Sequence, residues 1–156
     1  MKYLKNISPR DYQKEIVKTC IKKNCLVVLP TGLGKTLVAL MLSIKRMEEY
    51  PEEKIVFLAP TRPLAEQHLR YFKKHLPELF GTLELFTGKI KAKKRREIWQ
   101  NSEIVFSTPQ CIANDLKKIK KLLTRRRSFS YHDRGTIVCR MLEEGEEVKE
   151  VLFELF

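Results

Sequence analysis

Residues 25–36 read Cys25-Leu26-Val27-Val28-Leu29-Pro30-Thr31-Gly32-Leu33-Gly34-Lys35-Thr36: an apolar run, a loop with two glycines, and a Gly-Lys-Thr. The run from Cys25 to Leu29 predicts a strand buried on both faces, as in a parallel sheet. Lys35 to Glu49 predicts a helix that is apolar nearly all round from Leu37 to Leu42, and therefore covered by neighbours. A loop between such a strand and such a helix is suited to phosphate binding. Its glycines let backbone N–H groups close round an anion at the helix N-terminus. Lys35 would reach the β- and γ-phosphates, and the Thr36 hydroxyl would ligate Mg²⁺. Nucleotide contacts are expected from Pro30, Thr31, Gly32, Leu33, Gly34, Lys35 and Thr36. The strict form of this loop has glycine where Leu29 stands.

Working outward, short apolar strands alternate with amphipathic helices over the first ~125 residues, which argues for an α/β fold on a parallel sheet. Ser8-Pro9 predicts a helix start, with Ser8 as N-cap and Pro9 at the first helical position. Tyr12, Ile16, Val17, Cys20 and Ile21 then form one apolar face. Lys54 to Ala59 reads as a strand, and Thr61-Arg62-Pro63 opens a helix with Leu64, Ala65, His68, Leu69 and Phe72 in line. Thr82 to Phe86 is a weaker strand, Lys91 to Trp99 a short basic helix, and Glu103 to Ser107 another strand. Pro109 begins a helix carrying Ile112, Leu116, Ile119 and Leu123. Trp99 and Phe106 read as core rather than as platforms for bases. Beyond Thr124 the pattern stops. Thr136 to Leu142 can be read as a strand, Glu143-Glu144-Gly145-Glu146 as a turn, and Val148 to Phe156 equally as strand or helix.

The chain has 156 residues and a formal charge of +12, long enough for one domain with a sizeable core. Its hydrophobic content of 43% argues against a wholly disordered chain. No apolar stretch approaches the roughly 18–20 residues of a membrane span, and the first six residues contain no signal core. Cys20, Cys25, Cys111 and Cys139 form no Cys-x-x-Cys pair and the three histidines are scattered. Neither a zinc site nor a disulfide framework is expected, and a reducing cytoplasmic setting fits best. Charge is unevenly placed. Residues 89–127 hold thirteen basic and three acidic side chains, whereas residues 141–156 hold six glutamates and one lysine. A basic block in such a chain suggests a polyanionic partner, usually nucleic acid; solvated helix faces are the plainer alternative.

Leu-Pro-Thr-Gly-Leu-Gly-Lys-Thr at residues 29–36 resembles motif I of superfamily 2 (DEAD/DEAH-type) helicases, especially the Hef/FANCM group. Arg10-Asp11-Tyr12-Gln13 resembles that group's adenine-recognising segment. Ala59-Pro60-Thr61-Arg62-Pro63-Leu64-Ala65-Glu66-Gln67-His68 resembles motif Ia, and Thr87-Gly88 motif Ib. Ser107-Thr108-Pro109-Gln110, followed by Asn114-Asp115-Leu116, resembles the next nucleic-acid motif. The five segments keep their order and spacing over residues 8–123. The resemblance implies a first RecA-like domain, a three-layer P-loop fold with a parallel β-sheet flanked by helices, that uses ATP and Mg²⁺. It gives adenine contact to Arg10 and Gln13, and a nucleic-acid track, DNA more than RNA, to Pro60, Thr61, Arg62, Thr87, Gly88, Thr108, Pro109 and Gln110. Taken alone, Thr61-Arg62-Pro63 reads equally as a plain helix cap. A small-molecule kinase, the other common use of such a phosphate loop, is disfavoured by the motif Ia match.

The resemblance also implies an Asp-Glu-x-His box after the Asn-Asp-Leu helix, which this sequence lacks, so no catalytic residue is recognised. Glu143-Glu144 follows an apolar stretch and is the nearest imitation of the box, although acidic pairs after strands are commonly turns. Residues 1–123 are accordingly expected to form a partial N-terminal RecA-like ATP-binding domain, incomplete at its C-terminal part. Residues 124–156, basic and then acidic, lie outside the resemblance, as in a helicase gene truncated or frameshifted after about residue 123. The alternative is a small non-catalytic nucleic-acid-binding protein that retains a nucleotide site.

Overall fold

The computed structural model describes residues 3–115 and the backbone of residues 136–140. Helix α1 spans Asp11–Lys22 and α2 Lys35–Glu49. Strand β1 (Lys54–Leu58) leads to α3 (Arg62–His75), a 3₁₀ turn at Glu78–Phe80, β2 (Leu83–Phe86), α4 (Ala92–Asn101) and β3 (Ile104–Ser107). Residues 109–115 are helical, and β4 is Thr136–Arg140. The sheet is parallel, in the order β2-β3-β1-β4.

Strand alternation sorts the core into two faces. Ile55, Phe57, Ala59, Ile104, Phe106 and Leu83 pack with Val17 of α1, Leu37 to Met41 and Ile44 of α2, and Ala65 and Phe72 of α3. Val56, Leu58, Val105 and Phe86 pack with Ile98 of α4, Ile112 and the half-buried Trp99. Helices therefore cover both faces, the three-layer arrangement that strand-helix alternation predicts. On the first face Phe57, Phe72 and Phe106 form a closed cluster with ring centroids 5.0–5.3 Å apart, and His68 lies 4.9 Å from Phe57. Helices α1 and α2 pack together, and Arg46 of α2 donates to the Ile21 carbonyl at 2.9 Å, capping the end of α1.

Two local expectations are corrected. Helix α1 starts at Asp11 rather than at Ser8-Pro9, because Gln13 Oε1 accepts the Arg10 backbone N–H at 2.9 Å and so makes extended Arg10 the N-cap. The run Cys25 to Leu29 forms no ladder among the described residues: Leu26 is 63% and Val28 80% exposed, while Val27 and Leu29 are half-buried. An apolar run signals a tendency to bury but does not by itself supply a ladder partner, and none of the four described strands pairs with it. Thr136–Arg140, by contrast, pairs with β1 over its whole length. The acidic pair at 143–144 and the arginines at 125–127 lie outside the described residues. No helix among the described residues is long and apolar enough to cross a membrane.

Candidate nucleotide and nucleic-acid site

The loop before α2 has the conformation that its glycines permit. Gly32 and Gly34 adopt φ of 83° and 78°, left-handed values that disfavour other residues. Gly34 is the N-cap, and its carbonyl accepts the N–H groups of Leu37 and Val38. The first N–H groups of α2, on Lys35 and Thr36, have no intrahelical acceptor and sit at the positive end of the helix dipole. The loop is anchored from α1: Tyr12 Oη and Gln13 Nε2 both donate to the Leu33 carbonyl, at 2.9 and 3.1 Å. A Cβ on Gly34 would collide with Gln13 Nε2, so the close approach of α1 requires glycine there. Lys35 Nζ donates to the Leu29 carbonyl at 2.7 Å and thus lies folded back along the loop.

Of the residues expected to contact nucleotide, exposed Pro30 and Thr31 lead through the turn at Gly32 to Gly34 into Lys35 and Thr36, the first residues of α2. Gln13 joins them but is only 4% exposed, with its amide engaged by Arg10 N–H on one side and by Leu33 on the other. Arg10 is exposed at the N-cap of α1. The donor set fits a magnesium nucleotide: backbone N–H groups and an ammonium for phosphate oxygens, and the Thr36 hydroxyl as a hard oxygen ligand.

The expected nucleic-acid residues converge at one edge. Leu58, Ser107 and Phe86, the last residues of β1, β3 and β2, are in register. The Ser107 hydroxyl donates to the Phe86 carbonyl at 2.6 Å, and Ala59 N–H donates to the Ser107 carbonyl at 2.9 Å. The loops carrying Pro60 to Arg62, Thr87-Gly88 and Thr108 to Gln110 therefore leave the sheet side by side, at the strand C-termini where open α/β folds bind ligands. Thr61 is the N-cap of α3 but its side chain makes no capping hydrogen bond, leaving an exposed hydroxyl. Arg62 is tied to Glu66, Nε to Oε1 at 2.7 Å. Gly88 and Gln110 are exposed, Thr108 and Pro109 half-buried, and Thr87 buried.

Sequence reasoning missed two features. Tyr12 reads as part of an apolar helix face, yet its hydroxyl holds the phosphate loop; its place beside Gln13 was the available signal. Arg95 reads as one more charge in the basic block. Lys89, Lys91, Lys93, Lys94 and Arg96 are indeed exposed, but Arg95 is buried and paired with Asp115. No local pattern separates it from its neighbours.

The profile of the DEAD/DEAH box helicase family matches residues 10–138. The chain is 41% identical over 114 residues to the DEAD-box ATP-dependent DNA helicase Fancm of Drosophila melanogaster, a match covering 73% of this chain and 8% of that protein. It is 40% identical over 142 residues to the ATP-dependent DNA helicase fml1 of Schizosaccharomyces pombe, covering 90% of this chain and 16% of the relative. In structure it resembles the Pyrococcus furiosus Hef helicase domain, with a TM-score of 0.71 and 30% identity over 88% of this chain and 34% of that one. The chain thus spans a small part of the relatives it matches.

Proposed function

The chain belongs to the DEAD/DEAH box helicase family, and from that premise we propose that it is the ATP- and nucleic-acid-binding first RecA-like lobe of a DNA helicase or translocase of the Hef/FANCM type. The observation that carries this reading is the phosphate loop: two left-handed glycines lead into a helix that begins with Lys35, and Tyr12 and Gln13 of α1 pin the Leu33 carbonyl. In this reading the N–H groups from Gly32 to Thr36 bind phosphate oxygens, and Lys35 leaves Leu29 to neutralise the β- and γ-phosphates. Exposed Arg10 would contact the adenine directly, and Gln13 would do so on exchanging its present partners, the Arg10 N–H and the Leu33 carbonyl. When bound beside Thr36, Mg²⁺ would screen the charge of the β- and γ-phosphates.

The three strand-end loops supply the track for one strand of nucleic acid, with Thr61, Thr108 and Gln110 offering hydroxyl and amide donors to phosphate oxygens and exposed Gly88, beside buried Thr87, offering its backbone. DNA is favoured over RNA because both full-length relatives described above are named DNA helicases. Binding is largely sequence-independent. Its affinity should fall by ~0.7 log units per contacted phosphate for each log unit of salt on a single strand.

Residues 1–156 by themselves are expected to turn over little ATP. They contain no Asp-Glu-x-His carboxylates to orient metal and water at the γ-phosphate. The lack of that box also favours a second reading, a non-catalytic nucleic-acid-binding protein that retains a nucleotide site. Phosphate release with and without single-stranded DNA decides between them. Slow release that DNA stimulates and Lys35→Ala abolishes supports the helicase lobe. ATP binding with no release at all supports the second reading, and failure to bind single-stranded DNA even at low salt contradicts both.

A further inference from the structure

We propose that Arg95 and Asp115 are positioning residues that lock the Thr87-Gly88 loop to the Thr108–Gln110 loop and thereby set the nucleic-acid track; the inference rests on the nucleic-acid reading above. Arg95 lies in α4, which follows the first loop, and Asp115 lies in the helical residues 109–115, which follow the second. The pair is bidentate: Arg95 Nε reaches Asp115 Oδ2 at 2.6 Å and Nη2 reaches Oδ1 at 2.8 Å. Arg95 Nη1 turns the other way and donates to the carbonyl of Ile90, whose own N–H closes a turn on the Thr87 carbonyl at 3.1 Å. One guanidinium therefore grips the backbone just beyond Thr87-Gly88 and the first turns beyond Pro109 together.

Other interactions give the clamp its stiffness. Beneath it, Ser107 joins the strand ends through the Phe86 carbonyl, and the Phe86 ring lies 5.9 Å from the Arg95 guanidinium. The two loops are thus fixed at their base by the sheet and farther out by the pair. Arg95 is only 7% exposed in a helix whose other basic residues face solvent. A guanidinium that deeply placed is tolerated only with its donors satisfied in good geometry, so the site specifies one arrangement of the loops. With its charge matched by Asp115 and its donors turned inward, Arg95 is poorly placed to serve as a phosphate ligand.

Charge and position predict opposite signs for one substitution, Asp115→Asn. It makes the chain more positive by one unit, so binding governed by charge alone should tighten. If the pair positions the track, affinity for a single-stranded oligonucleotide at about 50 mM salt should fall roughly five- to tenfold, because the buried guanidinium is left without its carboxylate and the loops shift. The salt slope should also become shallower by ~0.7 for each phosphate that the shifted loops no longer reach. Arg95→Lys keeps the charge and removes the fork, and should weaken binding in the same way. In both variants ATP should raise the melting temperature as much as in the wild type, since the nucleotide loop is held by α1 instead.

Equal or tighter binding by Asp115→Asn, with wild-type binding intact, would overturn this inference and leave the nucleic-acid reading standing. Loss of the nucleotide-dependent shift in both variants would make the pair a requirement of the fold, and would overturn it too. A wild-type chain that binds no DNA at low salt would instead remove the reading beneath it.

Discussion

Lys54 to Leu58 and Cys25 to Leu29 are five-residue stretches of similar apolar appearance, and they have different fates. The first is buried throughout, with ladder partners on both sides in β3 and β4. The second has Cys25, Leu26 and Val28 exposed, and its polar links are local: the Cys25 thiol donates to the Lys23 carbonyl and the Leu29 carbonyl accepts from Lys35. Hydrophobic content is thus common to both, and ladder pairing among the described residues separates them. The segment without a ladder is also the one that leads into the phosphate loop, so the loop depends for its shape on α1 rather than on a strand.

This contrast can be broken most forcefully in β1. Phe57→Ala would open the Phe57–Phe72–Phe106 cluster, and is expected to cost about 3–5 kcal/mol in a denaturant or thermal unfolding curve. A loss below about 1 kcal/mol would mean that the sheet core is not where the stability lies. Gly34→Ala comes next. It forces a left-handed position on alanine and drives a Cβ into Gln13, so a loss of about 1–2 kcal/mol is expected, together with weakened ATP binding in the same titration. Unchanged ATP affinity would show that the α1 anchor is dispensable.

A smaller effect is expected from pH. Burial holds the His68 imidazole below its ordinary range, so the unfolded chain takes up a proton first on acidification. His68 therefore adds stability that is fully present above about pH 6.5 and is lost as the pH falls through its native value. Melting temperature measured between pH 7.5 and 5 should decline, and His68→Phe should flatten that decline. An identical slope in the variant would assign it to other groups. The smallest effect belongs to the segment without a ladder: Val28→Ser, 80% exposed in the wild type, should stay within about 0.5 kcal/mol of it. A larger loss would show that residues 25–29 are packed as a strand after all.

Most of the architecture was legible because it is written in local periods. The alternation from Lys54 onward anticipates β1, α3, β2, α4 and β3 to within a few residues, and Thr136–Arg140 falls inside a stretch that can be read as a strand. The glycine-bearing loop and the strand-end motifs were legible as well, since strand-to-helix junctions place such residues at one edge of a parallel sheet. What escaped reading depends on pairings far apart in the chain. Tyr12 meets Leu33 across 21 residues and Arg95 meets Asp115 across 20, and neither partner advertises the other. Ser8-Pro9 carries a helix-start signal that Gln13 overrides a few residues later, through a hydrogen bond no propensity encodes.

The central claim is that the loop from Pro30 to Thr36 binds the phosphates of a magnesium nucleotide. Its most direct test is the melting temperature of the wild-type chain and of Lys35→Ala in millimolar ATP and Mg²⁺. For an affinity in the millimolar range or tighter, the wild type should melt about 2 °C higher or more with nucleotide than without. Lys35→Ala should melt close to the wild type without nucleotide and show no such rise. A wild type that does not respond, or a Lys35→Ala variant that responds equally, would contradict the account.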